Sequence, residues 1–273
     1  MVLDNFPRDG EQSGHSPERI SSPANAAVWH DLECGSYTAD LPLWRELARE
    51  ASTGAHAQPL LDIGAGTGRV ALDLAALGHH VTALDLVAEL LDKLHERATA
   101  GDTPIETVCA DARTFELGRN DFAVCLAPMQ TIQLLHGAGR LAFLRRAQAH
   151  LRPGGLLACA IVSDIEPFDV AAGHLGPEPE IACVDDTHFI SRPTRVHLDK
   201  HSIRIERERS IVSAEQAAMS TDAPHERDVV ELDRLSASRL RREGREAGLT
   251  WQSTRSIPAT QDHVGSEVVL LRA

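Results

Sequence analysis

The residues of this chain best suited to chemistry sit in one short segment, Leu60-Leu61-Asp62-Ile63-Gly64-Ala65-Gly66-Thr67-Gly68-Arg69. An apolar run precedes the glycines and a helical pattern follows them, so the segment predicts a strand, a glycine turn and a helix. Glycines at such a junction permit a tight turn and let a ligand lie against the backbone, close to the N-terminus of the helix. A glycine turn alone serves packing as readily as binding. Two aspartates strengthen the binding reading. Asp85 closes the next apolar strand, where a carboxylate can accept both hydroxyls of a ribose, and Asp111 follows the strand after that, where it can reach an adenine amino group. Either aspartate alone is equally well a turn or cap residue. Polar features at the carboxyl ends of consecutive parallel strands converge on one crevice.

Other candidates are more scattered. His263 lies between the last two expected strands and His136 follows the fourth; either could act as a general base near neutral pH, although an ordinary surface or core histidine is the commoner role. His197 and His201 have the spacing of a paired metal ligand on a helix, but the flanks read as strand or turn and no third ligand is evident, so no metal is expected. The five cysteines form no CxxC pair, and Cys109, Cys125 and Cys159 lie in apolar strand-like runs where a small buried hydrophobe is expected. A reducing, cytoplasmic setting fits them.

The elements that must position these residues follow from the hydrophobic pattern. Residues 1–24 are polar, without apolar periodicity and without a signal-peptide pattern, and read as a disordered arm. A short helix is expected at 26–33 and a second from Asp40, an N-cap, with Pro42 in its first turn. After a linker at 52–59, strands at 60–63, 81–84, 105–109, 122–127 and 156–162 alternate with helices, ending in a turn at 152–155 before the last strand. That order specifies a parallel sheet covered on both faces. Beyond Val162 the pattern changes to period-2 alternation, clearest in Ile203-Arg-Ile205-Glu-Arg-Glu, and predicts one long antiparallel strand over 194–211 with partners at 181–190 and 228–232. A basic helix at 236–247 and strands at 252–257 and 266–271 complete the chain. Residues 165–233 thus read as an antiparallel insertion within a single domain spanning 25–273.

Composition bounds the partners. Of 273 residues, 42% are hydrophobic and 25% charged, enough apolar material for a sizeable core, and no apolar run is long enough to cross a membrane. The formal net charge of −13 repels phosphate backbones, which argues against nucleic acid as a partner.

The series Asp62-x-Gly64-x-Gly66-Thr67-Gly68, Asp85, Ala110-Asp111-Ala112 and Leu151-Arg-Pro-Gly-Gly155 resembles the motifs of class I S-adenosylmethionine-dependent methyltransferases, from about Leu60 to Val162. The tail Ala247-Gly248-Leu249, followed by two strands, resembles their ending. The resemblance implies a Rossmann-like, seven-stranded, mostly parallel sheet and S-adenosylmethionine as cofactor. It implies that Asp62, Gly64, Ala65, Gly66 and Gly68 hold the methionine end, Asp85 and Leu86 the ribose side, and Asp111 and Ala112 the adenine, with Ala127 at the end of the fourth strand beside them. Tyr37 would bind the cofactor carboxylate, or simply pack. A nicotinamide dehydrogenase also uses a glycine turn and an acidic ribose ligand, but wants G-x-G-x-x-G where this chain has G-x-G-x-G.

Where methyltransferases acting on amide or base nitrogens carry an Asn/Asp-Pro-Pro-aromatic motif, this chain has Leu126-Ala127-Pro128-Met129-Gln130. That departure resembles the small-molecule branch, which includes sugar N-methyltransferases. Acceptor contacts are then expected from Met129, Gln130, Gln133, Trp29 and Trp44, with residues 25–51 as a helical cap and 165–233 as a lid. The expected partner is a small-molecule N or O acceptor, with no nucleic acid or membrane, and the chain a monomer or homodimer. A non-catalytic cofactor-binding protein is the other class left open.

Overall fold

The computed structural model describes residues 22–51, 58–162, 164–213, 225–261 and 263–273. The expected arm at 1–24 and the linker at 52–59 lie almost wholly outside the described residues. Those that are described divide into two compact units: the residues up to Ser36 with Pro167–Leu198 and Arg204–Glu231, and a larger core of Tyr37–Glu166, Asp199–Ile203 and Leu232–Ala273. The segment 25–51 is therefore divided at Ser36 between the two.

The core is a doubly covered sheet. Its strands are β1 (Pro59–Ile63), β2 (His80–Asp85), β3 (Ile105–Cys109), β4 (Phe122–Ala127) and β5 (Leu151–Ile161), followed near the C-terminus by β11 (Thr250–Ile257) and β12 (Ser266–Arg272). The spatial order is β3-β2-β1-β4-β5-β12-β11, with β12 antiparallel to both neighbours and the first five strands parallel. Position in the sheet explains composition. All six residues of central β4 are buried, so it reads as an unbroken apolar run, whereas edge strand β3 is nowhere fully buried. Helices α2 (Leu41–Ala51), α3 (Arg69–Ala76) and α4 (Ala88–Ala100) pack one face, with Trp44, Leu47, Leu74, Leu91 and Leu94 in a shared cluster around β1 and β4. Helices α5 (Gly137–His150) and α6 (Ala237–Glu246) cover the other, through Phe143, Leu144 and Leu240. Each such side chain contributes roughly 1.5–3 kcal/mol on burial.

Two differences from the sequence-based expectations have local causes. The Arg152–Gly155 turn is absorbed into β5 as an irregularity, the register with β4 shifting between Phe122 and Val124 while Gly154 takes φ +74°. Helix α5 begins at Gly137, four residues ahead of the apolar residue Leu141 that marks it in the sequence. Asp40 stands directly before α2, as expected of its N-cap, its carbonyl accepting from the Leu43 and Trp44 amides at 3.0 and 3.2 Å while its carboxylate meets Arg69 and Trp44 Nε1.

In the other unit, α1 (Ala26–His30) runs into a wider turn over Asp31–Gly35, and strands β6 (Phe168–Asp169), β7 (Glu180–Val184), β8 (Thr187–Leu198), β9 (Ser202–Ser213) and β10 (His225–Asp233) form a sheet ordered β10-β9-β8-β6, with β7 also on β8. Two strands expected to be continuous are hairpins. Residues 181–190 turn at Asp185 and Asp186, with φ +45° and +62°, a left-handed geometry that aspartate tolerates. Residues 194–211 turn at Asp199, whose amide donates to the Ser202 carbonyl at 2.9 Å. His197 and His201 flank that turn rather than sharing a helix face. Among the described residues there is no cluster of metal-ligating side chains and no helix long and apolar enough to cross a membrane.

Candidate active site

The carboxyl ends of β1, β2 and β4 carry the candidate site. Gly64, Gly66 and Gly68 all have positive φ, +74°, +55° and +94°. The turn hangs from β2, the Gly64 and Ala65 amides both donating to the Leu84 carbonyl at 2.8 and 3.1 Å. A Cβ on Gly64 would fall 2.5 Å from the Thr131 side chain, so glycine there reflects contact with the segment after β4 as well as turn geometry. Gly68 begins α3 in the left-handed conformation, and a Cβ there would fall 2.7 Å from Leu94.

Asp85 does more than the sequence suggested. Its Oδ2 accepts from the Gly66 amide at 2.8 Å and its Oδ1 from the Val87 amide at 3.0 Å, which ties the glycine turn to the end of β2. Burial raises its pKa, against the pull of those amides. Each oxygen keeps a further lone pair for a hydroxyl donor. Leu86 beside it is exposed, and Ala127 at the end of β4 is fully buried.

Asp62 is the exceptional group. It is buried at the end of β1, and neither carboxylate oxygen has a hydrogen-bond partner. Burial pushes its pKa up to about 7, Asp85 and Asp40 add to the rise, and Arg69 and, more weakly, the backbone amide of Ala71 offset part of it. Buried polar groups are nearly always paired, so an orphaned carboxyl beneath a glycine cradle fits a site for a cationic donor. The α-ammonium of an amino acid is such a donor.

The sequence reading missed the pair that backs this turn. Arg69 donates to Asp40 Oδ1 and Oδ2 at 2.6 and 2.8 Å and to the Tyr37 carbonyl at 2.7 Å, with its guanidinium 5.2 Å from the Tyr37 ring centroid. Asp40 also accepts from Trp44 Nε1 at 2.7 Å. The only signal was an arginine directly after the last glycine; its partner is 29 residues away in sequence.

Tyr37 and His263 come together. Their ring centroids are 4.8 Å apart, and burial together with the Asp40 charge raises the Tyr37 pKa. His263 lies in the β11–β12 loop, at the same edge as the glycine turn, because Ser266 pairs with Ile257 and Glu267 with Ile161 at the end of β5. The His263 amide donates to Thr260 Oγ1 at 3.0 Å. Met129, after β4, has φ +52°, a left-handed conformation in a long side-chain residue that marks strain near the site.

Other candidates have different surroundings. Gln133 is fully buried, its Nε2 donating to the Val162 and Asp233 carbonyls at 3.0 and 3.1 Å and its Oε1 accepting from the Val162 amide at 2.7 Å, so it braces main chain. Gln130 precedes the short turn that carries Gln133 and is half-buried. Trp44 is a core ring anchored on Asp40. Asp111 is forked to Arg113 and accepts from its amide at 2.8 Å, which lowers its pKa; Ala112 beside it is half-buried. His136 is exposed at the start of α5. Trp29, in the smaller unit, packs edge-on against Phe189 at 5.2 Å with its indole N–H unpartnered. Among the cysteines, Cys125 and Cys159 are buried and burial raises their pKa values, but Cys109 is exposed, its thiol on the Leu86 carbonyl at 3.6 Å, because β3 is an edge strand.

Residues 60–155 match the family model described as a methyltransferase domain. A demethylmenaquinone methyltransferase of Clavibacter sepedonicus is 36% identical over 80 residues, 29% of this chain and 32% of that relative. A carboxy-S-adenosyl-L-methionine synthase of Vibrio atlanticus is 34% identical over 97 residues, 35% of this chain and 39% of that relative. The matched segment thus spans well under half the length of either curated relative. The solved structure of the sugar N-methyltransferase KedS8 from a Streptoalloteichus species shares the fold, with a TM-score of 0.65 at 20% identity, covering 97% of this chain and 98% of that one. The glycine turn and the strand order with its single reversed strand agree with that match: residues 60–155 form a methyltransferase domain.

Proposed function

We propose that this chain binds S-adenosylmethionine across the carboxyl ends of β1, β2 and β3 and transfers its methyl group to a small-molecule nitrogen or oxygen. The observation that carries the reading is the orphaned Asp62 carboxyl under the positive-φ glycine turn. When bound, the cofactor supplies a methyl group already activated on a sulfonium. The chain's own work is to hold and orient. Asp62 would take the ammonium, the turn amides and Tyr37 the carboxylate, and Asp85 the ribose hydroxyls through its open lone pairs. Little covalent help is needed, because alignment and exclusion of water supply much of the rate in such transfers.

His263 is the favoured general base where the acceptor arrives protonated: it faces Tyr37 at the edge that carries the glycine turn. Met129 and Gln130 are proposed acceptor contacts. The small-molecule class is supported by the missing Asn/Asp-Pro-Pro-aromatic motif, by the net charge of −13 and by the fold shared with a sugar N-methyltransferase. The match to a carboxy-S-adenosyl-L-methionine synthase favours a second reading, in which the same cofactor is bound but undergoes another reaction. Incubation with methyl-labelled cofactor and a panel of amino sugars, phenols and small amines tests the proposal. Label in a small acceptor is the expected result; a carboxylated cofactor, or label only in protein or RNA, counts against it.

A further inference from the structure

We propose that Arg69 is a positioning residue for the amino-acid end of the cofactor: by clamping Asp40 and the main chain of Tyr37 it leaves the buried Asp62 carboxyl without a fixed partner, and so couples cofactor capture to release of a proton. The inference rests on the reading of the glycine turn as an S-adenosylmethionine site.

The charged groups acting on Asp62 come from three directions: Arg69 from the start of α3, Asp85 from the end of β2, and Asp40 from the residue before α2. Two carboxylates therefore oppose one guanidinium. Three of its five N–H groups go to the two Asp40 oxygens and the Tyr37 carbonyl, and none of its N–H groups bonds Asp62. Asp62 feels Arg69 only through space. Such a carboxyl, deep in the core, holds its proton in the empty site around neutral pH. An arriving ammonium favours the ionised form, so the acid proton leaves to solvent as the ammonium–carboxylate pair forms. The same fork sets the pose of Tyr37 against His263, so one arginine fixes the cradle on two sides.

The sign follows from linkage. A group whose pKa falls when ligand binds gives tighter binding as pH rises, up to its value in the empty site, and no further change above it. Affinity should therefore fall by up to about tenfold per pH unit below about pH 7 and level off above it.

Calorimetric titration of S-adenosylhomocysteine into the full chain, in buffers of different ionisation enthalpy between about pH 6 and about pH 8, counts the protons directly. Release approaching one proton at the acid end and little at the alkaline end is expected. Asp62→Asn should bind more weakly and lose the pH dependence. Arg69→Gln removes the opposing cation and should move the midpoint of the affinity profile up by about one pH unit or more. Arg69→Lys keeps the charge without the fork; it should lose affinity several-fold with the midpoint nearly unmoved. The wild-type proton count decides the coupling even if Arg69→Gln does not fold. No proton release at the acid end, or a pH dependence that persists in Asp62→Asn, overturns the coupling. An equal loss at every pH in Arg69→Gln, with an unmoved midpoint, overturns the positioning role. No binding of the homocysteine compound at any pH overturns the cofactor reading instead.

Discussion

Two carboxyl groups are buried in this molecule under opposite conditions. In the core, Asp62 is enclosed with no hydrogen bond to either oxygen, and its pKa is pushed up to about 7. In the smaller unit, burial pushes Glu33 upward too, but Arg209 donates to both of its oxygens at 2.7 Å and Ser191 to one at 2.8 Å, so Glu33 is held down at about 2. Arg209 is itself fully buried and also pairs with Asp228 at 3.0 Å. The same desolvation therefore gives opposite protonation, and the difference is the partner. A carboxylate with filled oxygens serves the fold. One left open beneath a glycine cradle is stable only as the acid, or with a ligand.

The contrast fixes opposite pH signatures. Glu33 contributes stability above the unfolded value of 4.5 that is lost as pH falls through about 2, on the order of 3 kcal/mol in all. Asp62 works the other way: between 3.8 and about 7 the folded state keeps a proton the unfolded chain has released, so stability falls as pH rises through that window.

The largest effect should come from breaking the filled site. Arg209→Met leaves Glu33 and Asp228 buried beside an apolar chain and should cost about 3–5 kcal/mol in denaturant unfolding at neutral pH. A change below about 1 kcal/mol would mean that the pairing does not hold this unit together. Asp62→Asn inverts the comparison. It should unfold later than wild type at about pH 8, by about 4 kcal/mol, with the gap narrowing below about pH 7 and closing by about pH 4. A destabilised variant at alkaline pH would show that the carboxylate has a partner after all. Gly64→Ala tests the cradle without touching charge. Positive φ and the approach to Thr131 should cost about 2 kcal/mol and weaken binding of S-adenosylhomocysteine. The smallest effect is expected at Asp111, a carboxylate that is paired but partly exposed. Asp111→Asn should change stability by under about 1 kcal/mol, and a larger loss of S-adenosylhomocysteine affinity than of stability would support its expected role as an adenine ligand.

Much of the core was legible because parallel strands announce themselves as short apolar runs. β3 and β4 have the expected boundaries, and β1, β2 and β12 differ by one or two residues at an end. Gly64, Gly66, Gly68 and Asp85 were visible because their types and order follow the chain. What stayed hidden was pairing between distant segments. Nothing in the sequence ties Arg69 to Asp40, or Glu33 to Arg209 across 176 residues. Gln133 reads as a crevice residue until its amide is seen holding Val162 and Asp233. Cys109 reads as buried because its strand is apolar, whereas burial depends on its being an edge. The hairpins at Asp185 and Asp199 were read through because alternation continues on both sides of each turn.

The central claim is that the glycine turn and the end of β2 form the S-adenosylmethionine site, and calorimetry on wild type and Asp85→Ala tests it most directly. Wild type should bind S-adenosylhomocysteine and bind NAD poorly or not at all. Asp85→Ala loses both the ribose acceptor and the bond to the Gly66 amide, each charge-assisted bond worth on the order of 1.5–3 kcal/mol, so its affinity should fall at least tenfold. Unchanged affinity in the variant, or tighter binding of NAD by wild type, would contradict the account.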